Sequence, residues 1–116
     1  MQGKLIEVSK QFAVDIINVC SDIRETSKYN PLVNQLLRSG TSIGANIHEA
    51  NYAASRADFI NKLQIALKEC YETEYWLDLF KTTNIMPSNA QDKLLEQCKK
   101  LRIMLIKSIT TAKSAQ

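Results

Sequence analysis

Residues 55–80 read SRADFINKLQIALKECYETEYWLDLF, and this stretch decides the fold. Ser55-Arg56-Ala57-Asp58 has the S-x-x-D form of a capping box, in which a hydroxyl and an acid three residues later satisfy amide groups that a helix start leaves open. Behind it Phe59, Leu63, Ala66, Cys70, Leu77 and Phe80 recur at helical spacing, which predicts a helix over 56–82 with one apolar stripe.

The same grammar extends in both directions. Upstream, Asn30-Pro31 reads as a helix start, because the asparagine can cap and a proline in the first turn loses no needed hydrogen bond. Val33, Leu36, Gly40, Ile43, Ile47 and Ala54 then give a second stripe over 31–54, and Leu5, Val8, Phe12, Ile16, Val19 and Ile23 give a first over 4–24. Downstream, Ser88-Asn89-Ala90-Gln91 after Pro87 repeats the cap signal, and Leu94, Cys98, Leu101, Leu105, Ile109 and Ala112 form a fourth stripe over 89–113. Four helices with short connections predict an all-α, antiparallel up-down-up-down four-helix bundle. The weakest join lies at 53–55, where one long bent helix is the alternative. Gly40 and Gly44 leave a second choice open: they cost a helix about 1 kcal/mol each relative to alanine, and they also permit a tight helix crossing.

At 116 residues the chain fills one domain, spanning 1–116, large enough to bury a core without disulfides or metals. Its 45% hydrophobic and 23% charged content is that of a globular protein, so disorder is not indicated. No apolar run is long enough to cross a membrane, and Glu7 arrives before a signal-peptide core can form, so the cytoplasm is the expected location. Cys20, Cys70 and Cys98 have no CxxC spacing and sit on the stripes, which predicts three reduced core thiols without local partners.

A search for chemistry finds none. The only histidine, His48, lacks the second histidine of a zincin, since Tyr52 stands there, and Ala45 stands where a Glu-x-x-His pair would need its acid. Glu69, Glu72, Glu74 and Asp78 read as a solvated acidic face, with a carboxylate metal site as the weaker alternative. Ser39-Gly40-Thr41-Ser42-Ile43-Gly44 has the look of a phosphate loop, but it lacks the Gly-Lys-Ser/Thr ending and lies inside a helical period. No catalytic residue, metal or cofactor is therefore expected.

Surface patterning is more informative. The net charge of +3 has its source in one place: Lys93, Lys99, Lys100, Arg102, Lys107 and Lys113 face a single acid, Glu96, in the last segment. Lys93, Lys100 and Lys107 recur every seven residues, drift by only about 20° per step and form a stripe away from Leu94, Leu101 and Leu105. Arg38, Ser42, Ala45, Asn46 and Glu49 share a second-helix stripe opposite Leu36, Ile43 and Ile47, either solvated or a contact face. Tyr71, Tyr75, Trp76, Leu95, Ile103 and Ile106 are apolar residues beyond the core stripes, which predicts a homo-oligomer.

Gln35-Leu36, Arg38, Ser42-Ile43, Ala45-Asn46-Ile47, Glu49, Ser55-Arg56, Asp58-Phe59-Ile60, Leu63, Ile65-Ala66, Glu72, Glu74 and Leu77 together resemble the proteins encoded in intervening sequences of bacterial 23S ribosomal RNA genes. The pattern is also similar to the accessory variability proteins of diversity-generating retroelements. Gly44 departs from it where proline is common, and Ala50 where glycine usually follows the glutamate. The resemblance implies a four-helix bundle, assembly into a pentameric ring, no catalysis and, for the retroelement relatives, binding of nucleic acid and of a reverse transcriptase. Arg38, Ser42, Asn46, Glu49, Arg56 and Glu72 are its interface or motif residues in this chain, and Lys93, Lys100 and Lys107 are the nucleic-acid candidates. Two functions follow as expectations: an oligomeric accessory protein that binds RNA or DNA through phosphates, or a protein-interaction module with no nucleic-acid role.

Overall fold

Phe12 and Phe80 are the largest side chains with no solvent exposure, and they lie in one core supplied by all four helices. The computed structural model describes residues 2–115. They form α1 (Gln2–Arg24), α2 (Asn30–Ala50), α3 (Arg56–Thr82) and α4 (Ser88–Ser114). Each helix packs on its neighbours in sequence and α4 closes on α1, while the backbones of the diagonal pairs stay further apart, so the order around the bundle is α1-α2-α3-α4. The result is the predicted four-helix bundle, a rod of 50 × 20 × 19 Å.

The core follows the apolar stripes with small changes. Leu5, Phe12, Ile16 and Ile23 of α1 are buried as expected, and so are Val33, Leu36, Ile43 and Ile47 of α2. Ala54 is exposed, and Ala50 takes the last core position of α2. The helix stops there because Asn51 N–H reaches the carbonyls of Ile47 and His48, while Tyr52 and Ala53 N–H bond three residues back to Glu49 and Ala50. That tightened turn hands the chain to an extended Ser55, with φ −151° and ψ 167°, so α2 and α3 are two helices and not one bent one. Ser55 is the predicted cap: its Oγ accepts from Asp58 N at 3.1 Å, and Asp58 Oδ2 accepts in return from Ala54 N at 3.4 Å, one residue before the cap.

Two other helix starts differ from the sequence reading. Asn30 is the first residue of α2 and not its cap; Tyr29 takes that place without a side-chain hydrogen bond, its carbonyl accepting from Leu32 and Val33 N–H. At α4 the cap position is Pro87, and Gln91 does not reach back toward it. Its amide turns inward and donates to the Leu77 carbonyl at 3.0 Å, tying α4 to α3.

Gly40 and Gly44 are answers to packing. A Cβ on Gly40 would lie 2.9 to 3.1 Å from carbons of Ile16, and one on Gly44 would lie 3.4 Å from the Ser9 carbonyl oxygen. The α1–α2 crossing is tight at both, so the close-approach alternative is the one realised. A third special position, Asn84 at φ 57°, ends α3 in the left-handed conformation, letting Ile85 N–H reach the Phe80 carbonyl at 3.0 Å.

Candidate nucleic-acid interface

Leu94, Cys98, Leu101 and Leu105 bind α4 into the core and so fix which way its other faces point. Lys93, Lys100 and Lys107 are all exposed, and Lys100 and Lys107 lie on the side of α4 that turns toward α1. Lys100 borders a groove with Glu7, Gln11 and Gln97, and Lys107 borders the next with Lys4 and Met104. The α1–α4 seam is held by a polar bridge, Gln97 Nε2 donating to Asp15 Oδ2 at 2.8 Å while Gln11 Nε2 donates to Asp15 Oδ1 at 3.1 Å. Among the described residues none of the three lysines takes part in an ion pair.

Four other cations are committed. Arg38 Nη1 meets Glu69 Oε2 at 3.0 Å and its Nη2 binds Glu72, whose Oε2 also accepts from Trp76 Nε1 at 3.0 Å. Arg38 is held above the ordinary arginine range by its bonds to Glu72 and then Glu69; Glu72 is held below the carboxylate range by Arg38 and then by Trp76. Lys62 pairs with Glu49 at 3.1 Å and Lys81 with Asp92 at 3.5 Å. Arg102 donates from Nε to Glu74 at 3.1 Å and lies over the Tyr71 ring, 5.8 Å from its centroid.

The motif residues thus separate. Arg38, Ser42 and Asn46 run up one side of α2, Ser42 Oγ donating to the Arg38 carbonyl at 2.6 Å and Asn46 Nδ2 to the Ser42 carbonyl at 2.9 Å, and Glu72 joins them through Arg38. Glu49 belongs to a separate pair with Lys62, and Arg56 stands apart at the start of α3. This face is the α2–α3 seam. The acidic face expected on the third helix is likewise divided, with Glu69 and Glu72 turned to α2 and Glu74 turned to α4. Among the described residues no group of three His, Cys, Asp or Glu is placed to hold a metal ion.

Some partners were missed in the sequence. Thr73 Oγ1 donates to Ser39 Oγ at 3.0 Å in the buried α2–α3 contact. Its signal was the gap between Cys70 and Leu77 in the third stripe, which falls on Thr73. The Cys98 thiol donates to the Cys70 carbonyl at 3.5 Å; its side-chain contact with Cys70 followed by burial pushes the thiol far up, while burial lifts Cys20 to about 11. All three cysteines are buried and free.

The surplus apolar residues divide as well. Trp76 and Leu95 are half-buried, but Tyr71, Tyr75, Ile103 and Ile106 stay 40–62% exposed on the outer side of α3 and α4. No helix among the described residues is long and apolar enough to cross a membrane.

Against known proteins, the model of the 23S rRNA-intervening sequence protein family matches residues 2–107. No curated protein matches the chain. A crystal structure of a protein with unknown function from the S23 ribosomal protein family of Bacteroides thetaiotaomicron is 45% identical, with 90% of this chain and 97% of that one covered and a TM-score of 0.87.

Proposed function

The chain belongs to the 23S rRNA-intervening sequence protein family, and on that premise we propose that it is a non-enzymatic, oligomeric accessory protein of the cytoplasm that binds RNA or DNA through phosphate contacts made by α4. The observation that carries this reading is the placement of three unpaired cations along one helix. Arg38, Lys62, Lys81 and Arg102 are each spent on a carboxylate of the same chain, whereas Lys93, Lys100 and Lys107 stand exposed on one side of one helix without an ion pair among the described residues. An unpaired cation releases counterions from a polyanion at no cost in broken salt bridges.

Three lysines on one subunit attract a phosphate chain weakly. Copies around an axis, a pentamer on the family resemblance, repeat the stripe and let one polyanion meet several subunits at once. Tyr71, Tyr75, Ile103 and Ile106 supply the apolar surface for that self-association. The same surface supports a second reading, a protein-interaction module, for which a reverse transcriptase is the partner the resemblance suggests.

Purification from the native host at low salt separates the two. Nucleic acid that accompanies the protein and leaves at high salt is the expected result; recovery of a polymerase with no nucleic acid, insensitive to salt, contradicts the first reading and favours the second.

A further inference from the structure

Where α2 turns into α3, a cleft of about 510 Å³ opens between that connection and the last turns of α4. Ala50, Ala53, Ala112 and the half-buried Phe59 give it apolar walls, and among the described residues Arg56 is its one charged side chain. Arg56 is exposed and takes part in no ion pair among the described residues. Ser108 lines this cleft and also the adjoining groove that contains Lys4 and Lys107, so the two meet at one side chain. Among the described residues no aspartate or glutamate lines either of them.

Ser108 sets the cleft apart from a mere gap between helices. The residue is only 4% exposed, yet its hydroxyl makes no hydrogen bond among the described residues. Other hydroxyls at helix seams have partners: Ser9, Ser39, Thr41 and Ser42 donate back to a carbonyl of their own helix, and Thr73 donates to Ser39. The hydroxyl opens into the cleft with no protein partner and is available to a ligand there, and among the described residues the charged side chains lining the cleft and the adjoining groove, Arg56, Lys4 and Lys107, are all positive.

We propose that this cleft takes one unpaired nucleotide of a single-stranded nucleic acid, its base against Phe59 and the alanine walls, its phosphate toward Arg56 and Lys107, and its sugar or phosphate oxygen on the Ser108 hydroxyl. An aromatic face beside apolar walls accepts any base by stacking, and a guanidinium matches the oxygens of a phosphate. A base paired inside a duplex cannot enter, so the cleft discriminates by strandedness and not by sequence. The proposal rests on the nucleic-acid reading above and adds to it a site at the end of the bundle for which α4 alone supplies no stacking residue.

Adenosine monophosphate and inorganic phosphate are titrated separately into the methyl-labelled protein, and a single-stranded oligonucleotide and a duplex of equal length are bound in parallel. The parent is compared with Ala112→Leu, which fills the cleft, and with Arg56→Gln. The nucleotide is expected to shift the methyl resonances of Ala50 and Ala53 at concentrations about fivefold or more below those at which phosphate does so. Ala112→Leu is expected to remove that shift and to weaken single-strand binding about fivefold while duplex binding stays as it was; Arg56→Gln weakens the nucleotide with helicity unchanged. The nucleotide binding no better than phosphate, or either variant keeping the parent's single-strand affinity, overturns the proposal. A parent that binds neither oligonucleotide refutes the broader reading instead, and the monophosphate titration then still decides the cleft.

Discussion

Arg38 and Glu72 bind each other across the α2–α3 seam, and the same Glu72 oxygen also accepts the Trp76 indole N–H, so one carboxylate joins two helices and fixes an aromatic ring. Both partners are more than a third exposed, which places the pair among surface salt bridges contributing up to about 1 kcal/mol. Because Glu72 is depressed in the folded state, its contribution is present above the usual carboxylate range and is lost as pH falls through the lower folded value.

Glu72→Gln is therefore expected to lower the melting temperature at pH 7 and to have a smaller effect at an acid pH below the depressed folded value, where the parent carboxylate is protonated as well. Thermal unfolding of both proteins at the two pH values checks this. An equal difference at both would show that the glutamate acts through packing and not through its charge.

Gly40→Ala and Gly44→Ala are expected to have opposite signs. Both gain about 1 kcal/mol of helix propensity. At Gly40 the added methyl meets branched carbons of Ile16 at 2.9 to 3.1 Å, and overpacking of about 1–3 kcal/mol outweighs the gain. At Gly44 the nearest atom is 3.4 Å away, an ordinary contact, so the propensity gain survives. Urea midpoints that move the same way for both variants would contradict the crossing described.

The three thiols are expected to resist a disulfide reagent in the native protein and to react together on unfolding, since all three are buried out of its reach and burial lifts Cys20 to about 11. Cys70→Ser is expected to lower stability without changing the oligomeric mass. A rapidly reacting thiol at neutral pH in the native state would show that its helix is turned differently.

The apolar band on α3 and α4 is expected to be shared between copies. Light scattering at micromolar concentration should give a mass several times that of the 13.1 kDa chain, and Ile103→Lys, altering a residue 62% exposed, should reduce it with helicity intact. A monomer mass for the parent removes self-association from the account.

The number, order and core stripes of the helices were legible because helical periodicity is a local signal, repeated many times in each segment. Ser55 was legible for the same reason, its capping partner Asp58 lying three residues away. Gln91 was not, because its amide is bound by a carbonyl of another helix, and nothing near it in sequence tells a reaching-back side chain from one turned inward. The end of α2 was misjudged because Asn51, Tyr52 and Ala53 are individually compatible with a helix, and the turn is set by the extended Ser55 that follows. On the surface, heptad spacing identified the lysine stripe, while the fate of Arg38 and Glu72 depended on residues more than thirty positions apart.

Lys93, Lys100 and Lys107 are proposed to hold a phosphate chain, and the salt dependence of binding tests this most directly. Affinity for a single-stranded RNA and for a DNA duplex is measured from low to physiological salt for the parent and for the variant with all three lysines changed to glutamine. The parent should show a steep log-log decline, and the variant, with helicity and oligomeric mass unchanged, should lose about 0.7 to 0.9 of that slope for each lysine that had contacted a phosphate. A variant that binds as the parent does at every salt concentration, or a parent that binds neither nucleic acid at low salt, would contradict the account.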